Sequence, residues 1–159
     1  MEARTAWTAL STLVGTWEGS GTIEFPTLET MPYREVLEIR EGTAGGFLHY
    51  LQQTWRRLDG DDVGSHVETG FIELADDATL RVMNAQGTDR VESLRGEISN
   101  AGGRVSIELT SVAIAGDDRM IRTWRSLRVD GDDLAYTMGM ATTAVPQGAL
   151  HLAARLSRR

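Results

Sequence analysis

The sequence predicts a closed antiparallel β-barrel of about ten strands, preceded by a short helical segment. Turn signals rich in Asp, Asn and Gly recur about every 8–14 residues. Between them lie short runs of Val, Ile, Leu, Thr and aromatic residues in which apolar and polar positions alternate. Because no strand–helix–strand alternation is visible, an up-and-down meander is favoured, and such a sheet removes its edges by closing.

The N-terminal elements follow from two spacings. The segment before Gly15 carries apolar residues at i, i+3 and i+7, which predicts a short helix: Trp7, Leu10 and Val14. In the first strand, glycines share one face with an indole at a spacing of two residues: Gly15, Trp17, Gly19 and Gly21. Several glycines on one face of a strand imply close backbone approach. We therefore expect Trp17 to plug the base of a tightly coiled barrel.

Length and composition indicate one globular domain spanning residues 1–159. The net charge of −7 argues against a nucleic-acid partner, and no apolar run approaches the about 18–20 residues of a membrane span. The N-terminal residues lack the apolar core of a secretory signal, so we expect a cytoplasmic protein. The chain has neither cysteine nor lysine, which excludes disulfides, thiolate metal sites and lysine Schiff bases.

Three histidines lie on three different predicted strands, and this scatter argues against a dedicated zinc site. His49 alternates with Leu48 and Tyr50, which predicts a surface position. His66 begins a strand after an acidic turn. A pocket residue that hydrogen-bonds a ligand and a surface residue paired with a carboxylate both fit that position.

The third histidine, His151, lies on the last predicted strand, and the direction of its side chain decides whether it can bind a ligand. In a regular strand one face carries the apolar residues Leu150, Leu152, Ala154 and Leu156. Alternation then turns His151 toward solvent. A role for His151 inside the barrel therefore requires one of two conditions. Either a bulge near the rim reverses the facing of the side chain, or the core is concentrated at the base of the barrel and the leucines of this strand pack elsewhere.

Several motifs resemble, in order, those of the nitrobindins, a family of haem-binding β-barrels. The run from Gly15 to Gly21 is similar to the family's Gly-x-Trp-x-Gly-x-Gly, and Phe25-Pro26-Thr27-Leu28 to its Tyr-Pro-Thr-Ile. His66-Val67-Glu68-Thr69-Gly70-Phe71 resembles the family's His-Ala-Glu-Ser/Thr-Gly-Tyr. Further similar segments extend the resemblance over nearly the whole chain: Tyr50 to Trp55, Ala85 to Thr88, Val129 to Tyr136, Met140 to Thr143, Pro146 and His151-Leu152.

The resemblance implies a lipocalin-like or fatty-acid-binding-protein-like barrel that holds one ferric haem b at its mouth. His151 would be the axial iron ligand, Thr27 would lie at the haem, and His66 would lie on the opposite haem face. The remaining implied pocket residues are Met31, Gln86 and Met140. The implied activity is haem-dependent isomerisation of peroxynitrite to nitrate, with nitric oxide binding by the ferrous form. The implied assembly is a monomer or homodimer whose partners are small molecules.

The interval between Pro146 and His151 is one residue longer than the family pattern. Two other functions therefore stay open. A haem-free intracellular carrier of a small apolar ligand, such as a fatty acid, would have an apolar interior with one or two Arg or Tyr anchors. A haem or nitric oxide binding protein without catalysis would need the same iron ligation as the isomerase.

Several candidates also fit purely structural roles. Thr27 follows Pro26 in a predicted turn. Met138 and Met140 share a strand face and suit core packing, although Met140 could also form an apolar wall beside haem. Four arginines alternate with apolar residues and are expected on solvated strand faces: Arg34, Arg56, Arg57 and Arg125.

Overall fold

The computed structural model describes residues 3–76 and 78–159 and shows a closed ten-stranded antiparallel barrel, which confirms the predicted fold class. One helix, α1 (Ala3–Ser11), precedes the barrel. The strands are β1 (Gly15–Phe25), β2 (Leu28–Glu41), β3 (Phe47–Leu58), β4 (Asp61–Asp76), β5 (Thr79–Gln86), β6 (Val91–Ala101), β7 (Arg104–Ala115), β8 (Met120–Asp130), β9 (Asp133–Thr142) and β10 (Ala149–Arg158).

Each strand pairs with the next one in the chain, and β10 pairs with β1 to complete the closure. The β6–β7 turn shows the turn chemistry: Gly102 and Gly103 have φ of 64° and 90°, a region that side chains disfavour. Asn100 Oδ1 accepts a hydrogen bond from the Gly103 amide at 3.0 Å. The meander gathers five connections at one end, here called the mouth: residues 26–27, 59–60, 87–90, 116–119 and 143–148.

The opposite end of the barrel is closed by α1. Its inward residues, and Leu13 just beyond it, are fully buried: Ala6, Ala9, Leu10 and Leu13. Trp17 on β1 is also fully buried, and its Nε1 donates a hydrogen bond to the carbonyl oxygen of Leu13 at 2.8 Å. The indole thus plugs the base as predicted. Within the described residues, no helix has the length and apolar character needed to cross a membrane.

The glycines of β1 allow its backbone to approach its neighbours closely. A Cβ atom at Gly21 would lie 2.6 Å from the carbonyl oxygen of Ala153 and 2.5 Å from the Tyr33 ring. A Cβ atom at Gly19 would overlap the carbonyl oxygen of Arg155. Both contacts are tighter than a real side chain permits, so the close approach inferred from the sequence is confirmed.

The interior changes from apolar to polar along the barrel axis. From the closed end to the mouth, the inward positions are Ile39, Leu37, Glu35 and Tyr33 on β2, and Leu80, Val82, Asn84 and Gln86 on β5. β3 shows the same change, from Leu48 to Thr54. The closed half is therefore a packed hydrophobic core, and the mouth half carries the groups that can do chemistry.

Strand register is irregular mainly near the mouth. Of the six register shifts between the described strands, five lie in the mouth half. One is on β10 between Leu150 and Leu152, and another leaves Ser65 of β4 as the extra residue opposite Thr54 and Trp55 of β3. Bulges are frequent at barrel rims and beside functional sites, where they redirect a side chain. The mouth is therefore the place to look for a site.

Candidate functional site

A pocket of about 270 Å³ opens at the mouth, and its walls differ in character. One wall, from β1, β9 and β10, is apolar around a single imidazole: Ile23, Met138, Leu152 and His151. The other wall, from β3 to β5 and the β5–β6 turn, is polar: Thr54, Ser65, His66, Gln86 and Thr88. In the ten-strand order β10 lies diametrically opposite β5, and β9 opposite β4. The two walls therefore face each other across the barrel.

His151 faces this pocket because it is the extra residue of a β-bulge. Leu150 pairs with Gly139 and Leu152 pairs with Met138, so two consecutive residues of β9 span three of β10. The bulge lets His151 and Leu152 both line the pocket, while Leu150 is left exposed. Three residues of β10 thus oppose two of β9, which is the geometry that turns His151 inward.

The surroundings of His151 favour a neutral imidazole. Its Nδ1 lies 3.3 Å from the carbonyl oxygen of Glu24, and its ring packs edge-on against Phe25 with centroids 5.9 Å apart. Burial lowers the pKa of His151, although the Glu24 carbonyl opposes that shift. Since a carbonyl only accepts, Nδ1 carries the proton and Nε2 keeps its lone pair. That tautomer is a ready ligand for a metal.

The polar wall contains a second imidazole and an amide that lacks partners. His66 Nε2 lies 3.9 Å from Glu68 Oε2. Gln86 is 7% exposed, and neither its Nε2 nor its Oε1 has a hydrogen-bond partner among the described residues. A buried amide left without partners is costly unless a ligand or water supplies them. Gln86 therefore marks this wall as a place where a polar ligand atom would be stabilised.

Below the polar wall lies a buried ion cluster. Arg125 donates two hydrogen bonds to Glu68, at 2.6 and 3.0 Å, and one to Glu92 at 3.1 Å. Burial alone would raise the pKa of Glu68, but Arg125, His66 and Tyr50 outweigh it and hold that pKa well below its usual range. The expectation that Arg125 lies on a solvated face is wrong, because two carboxylates from β4 and β6 pair with it across the barrel interior.

A second buried carboxyl, Glu35, has neutral partners. It accepts hydrogen bonds from Tyr136 at 2.5 Å and from Gln52 at 2.9 Å, and Tyr136 also bonds Tyr33 at 2.7 Å. Burial raises the pKa of Glu35, against the hydrogen bonds that lower it. Glu35 and Glu68 thus have opposite pKa shifts, because only Glu68 has a guanidinium partner.

The pocket lining includes three of the six residues that the resemblance implies: His151, His66 and Gln86. Thr27 is exposed in the β1–β2 turn, and Met31 is half-buried with its sulfur 3.8 Å from Arg56 Nη1. Met140 packs in a small cluster with Phe25 and Val145, while Met138 lines the pocket instead. His49 lies on the outer face of β3, as predicted, and its Nε2 lies 2.9 Å from the Thr69 hydroxyl.

Sequence reasoning missed the buried polar groups Glu35, Glu68, Glu92 and Arg125. The apolar–polar alternation of the strands could have indicated that these charged residues are buried. Glu35 is in phase with the buried Leu37 and Ile39 on β2, and Glu68 is in phase with Ile72 on β4. Charged residues in phase with a core face indicate a buried network.

We predict that Glu35→Gln changes how stability depends on pH. The folded state holds the Glu35 proton above the pH at which the unfolded chain releases it, near 4.5. Stability of the wild type should therefore fall, relative to the variant, as pH rises from about 4.5, by up to about 1.4 kcal/mol per pH unit. Urea unfolding at pH 5 to 8 measures this difference. Glu38→Gln, on the outer face of the same strand, is the control. Parallel curves of unfolding free energy against pH for wild type and Glu35→Gln would contradict the prediction.

Comparison with known proteins shows relatives that match nearly the whole chain. Peroxynitrite isomerase 2 of Mycobacterium ulcerans (strain Agy99) is 32% identical over 154 residues, covering 95% of this chain and 93% of the relative. Peroxynitrite isomerase of Nocardia farcinica (strain IFM 10152) is 34% identical over 154 residues, covering 94% and 89%. The crystal structure of Rv2717c from M. tuberculosis superposes with a TM-score of 0.87 at 30% identity, over 97% of each chain.

The family model described as "THAP4-like, heme-binding beta-barrel domain" matches residues 6–158. This match covers the helix from residue 6 onward, all ten strands and both pocket walls. The nitrobindin resemblance seen in the sequence motifs is thereby confirmed, and the chain belongs to the THAP4-like haem-binding β-barrel family.

Proposed function

We propose that this protein binds one ferric haem b per chain at the barrel mouth and isomerises peroxynitrite to nitrate. The observation that carries the proposal is the β10 bulge, which turns His151 into the pocket while the Glu24 carbonyl occupies Nδ1. Nε2 is then the atom available to bind iron. A neutral imidazole whose other nitrogen is hydrogen-bonded is the usual form of an axial haem ligand.

The residues present fit a haem group. A planar apolar ligand would lie between the apolar wall and the polar wall, which stand on opposite strands. The pocket of about 270 Å³ is open on one side, so a macrocycle larger than the pocket would keep one edge in solvent. The unpartnered amide of Gln86 would gain a partner from a ligand bound on the polar face.

Each wall has a separate task. His151 would hold the iron, with its ring orientation set by Glu24 and Phe25. Ile23, Met138 and Leu152 would exclude water from that side. His66 and Gln86 would hydrogen-bond the oxygens of a small ligand on the other side. When bound, ferric haem supplies Lewis-acid activation of peroxynitrite for rearrangement to nitrate, which needs no net proton from the protein.

Three residues carried over from the resemblance lie just outside the pocket lining, and their roles remain part of the proposal. Thr27 is in the turn that follows Phe25, so its hydroxyl could reach a haem propionate at the open edge. Met140 packs against Phe25, which in turn contacts the His151 ring. Met31 lies at the mouth end of β2, beside Arg56.

The interior does not favour a haem-free carrier of fatty acids. The apolar cavity below the mouth pocket measures about 70 Å³, which is too small on its own for a fatty-acid chain. Arg125, the natural anchor for a fatty-acid carboxylate, is already paired with Glu68 and Glu92. An incoming carboxylate would have to displace both. Monomer or homodimer assembly and a cytoplasmic location stay predictions from the sequence.

We predict that apoprotein titrated with hemin gives a sharp Soret band that saturates at one equivalent. His151→Ala should lose or shift this band, because it removes the only imidazole on the apolar wall. His49→Ala is the matched control, since His49 lies on the outer face of β3, and it should titrate as the wild type does. Visible absorption measures all three proteins. Identical titrations of wild type and His151→Ala, or only the broad spectrum of free hemin, would contradict the site.

Catalysis is tested separately from haem binding. We expect haem-loaded wild type to accelerate peroxynitrite decay with nitrate as the product, and the nitric oxide complex of the ferrous protein to form in the same pocket. Stopped-flow absorption with nitrate and nitrite analysis measures the reaction. A protein that binds haem and nitric oxide but leaves the decay rate at that of buffer would be a haem or nitric oxide binding protein without this activity.

A further inference from the structure

We propose that the indole of Trp124 fixes the register of β10 and so keeps His151 turned into the pocket. The effect on haem binding rests on the function proposed above, whereas the effect on register does not. Trp124 lies on β8, between the inward residues Thr123 and Arg125, so its side chain points to the outer face of the barrel. Trp124 is not among the residues that line the pocket, and its influence on His151 would be that of a positioning residue.

The indole lies directly on a glycine of the neighbouring strand. Trp124 pairs with Gly139 on β9, and Gly139 in turn pairs with Leu150, the residue before the bulge. A Cβ atom at Gly139 would overlap ring atoms Cε2 and Cζ2 and would lie 2.5 Å from Nε1. Gly139 is buried although it faces outward, because the ring covers it. Only glycine fits at this position while the indole stays in place.

The same ring covers a second glycine at the entry to β10. Gly148 has φ of +80°, and a Cβ atom there would lie 2.7 Å from Cη2 and 3.1 Å from Cζ3 of Trp124. The amide of Gly148 donates a hydrogen bond to the carbonyl oxygen of Val145 at 3.0 Å. The Arg122 guanidinium lies over the indole, 5.1 Å from its ring centroid. The Trp124 ring thus packs against both glycines, and the Arg122 guanidinium also contacts it.

This packing discriminates between two registers of β10. The regular strand would pair His151 with Gly139, face His151 outward and face Leu150 inward. If Leu152 stays opposite Met138, that register moves each residue before the bulge one position along β9. Leu150 would then pair with Met140 instead of Gly139. Ala149 would then occupy the place of Gly148, and its methyl group would meet the indole at a distance that real Cβ atoms do not show. Trp124 therefore excludes the register in which His151 faces solvent.

The experiment compares wild type with Trp124→Ala, Trp124→Phe and a control, Phe71→Ala. Phe71 is also an outer-face aromatic residue, half-exposed on β4, far from β10 in the strand order. The first readout needs no haem: ¹H–¹⁵N spectra of the apoprotein report the protonated nitrogen of the His151 ring. We expect the Nδ1–H signal bonded to Glu24 in the wild type and the control, its loss in Trp124→Ala, and its partial return in Trp124→Phe.

The second readout is hemin affinity. If the outward register takes up about nine-tenths of the Trp124→Ala molecules, the apparent Kd for hemin rises about tenfold. A double-mutant cycle with Gly139→Ala gives an independent measure. Gly139→Ala alone should displace the indole and weaken hemin binding, whereas in the Trp124→Ala background it should change the Kd little, because no ring remains to clash.

An unchanged His151 ring spectrum and unchanged hemin Kd in Trp124→Ala and Gly139→Ala would overturn the proposal. Equal losses in Phe71→Ala would do the same, since they would show general destabilisation. If Trp124→Ala fails to fold, Trp124→Phe and Gly139→Ala carry the test. Failure of wild type to bind hemin would count against the proposed function alone, because the ring spectrum of the apoprotein would still report the register.

Discussion

The position of His151 depends on one extra residue in the strand that closes the barrel. From Leu152 onward β10 is hydrogen-bonded on both sides, to β1 and to β9, so the register of that part is held by two ladders. Ala149 and Leu150, before the bulge, pair with β9 alone, so the bulge depends on the packing around those residues. The bulge converts an alternation that would turn His151 to solvent into one that turns it into the pocket, and the iron-binding side of the proposed site depends on that inversion.

The layered interior explains why the site lies at one end. Apolar residues fill the closed half around Trp17, where the helix covers the barrel. Toward the mouth the inward positions become polar, and their charges are balanced by partners across the barrel interior, as Arg125 on β8 is by Glu68 on β4 and Glu92 on β6. A buried charge is tolerated only when it is paired and hydrogen-bonded. The polar half thus gives the pocket a rigid floor, and it leaves no space for a long apolar chain.

Much of the fold could be predicted from the sequence because it rests on local rules. Alternation and Asp-Gly turns predicted the meander, and the glycines around Trp17 predicted the close approach of β1. The bulge could not be predicted outright, only named as one of two conditions that would allow an inward His151. Neither the alternation nor the longer interval after Pro146 shows at which residue of β10 a bulge would form. The answer lies in side chains distant in sequence, Trp124 against Gly139 and Gly148.

The buried charges escaped prediction for a different reason. Arg125 has the alternation of a core position, but charge argues for solvent, and the partners that resolve this conflict lie on β4 and β6. Pairings across such separations cannot be derived from one strand alone. His66 illustrates the same point: its position allowed a pocket or a surface role, and the structure places it two residues before Glu68 on the inward face of β4, where it lines the pocket.

The most direct test of the central claim is resonance Raman spectroscopy of the ferrous haem-loaded protein with and without ¹⁵N-labelled histidine. An iron–histidine stretching band that shifts on labelling, persists in His66→Ala and disappears in His151→Gly is the predicted result, because His151 Nε2 faces the pocket while Nδ1 is bonded to Glu24. A labelled band that persists in His151→Gly, or one that disappears only in His66→Ala, would contradict the account.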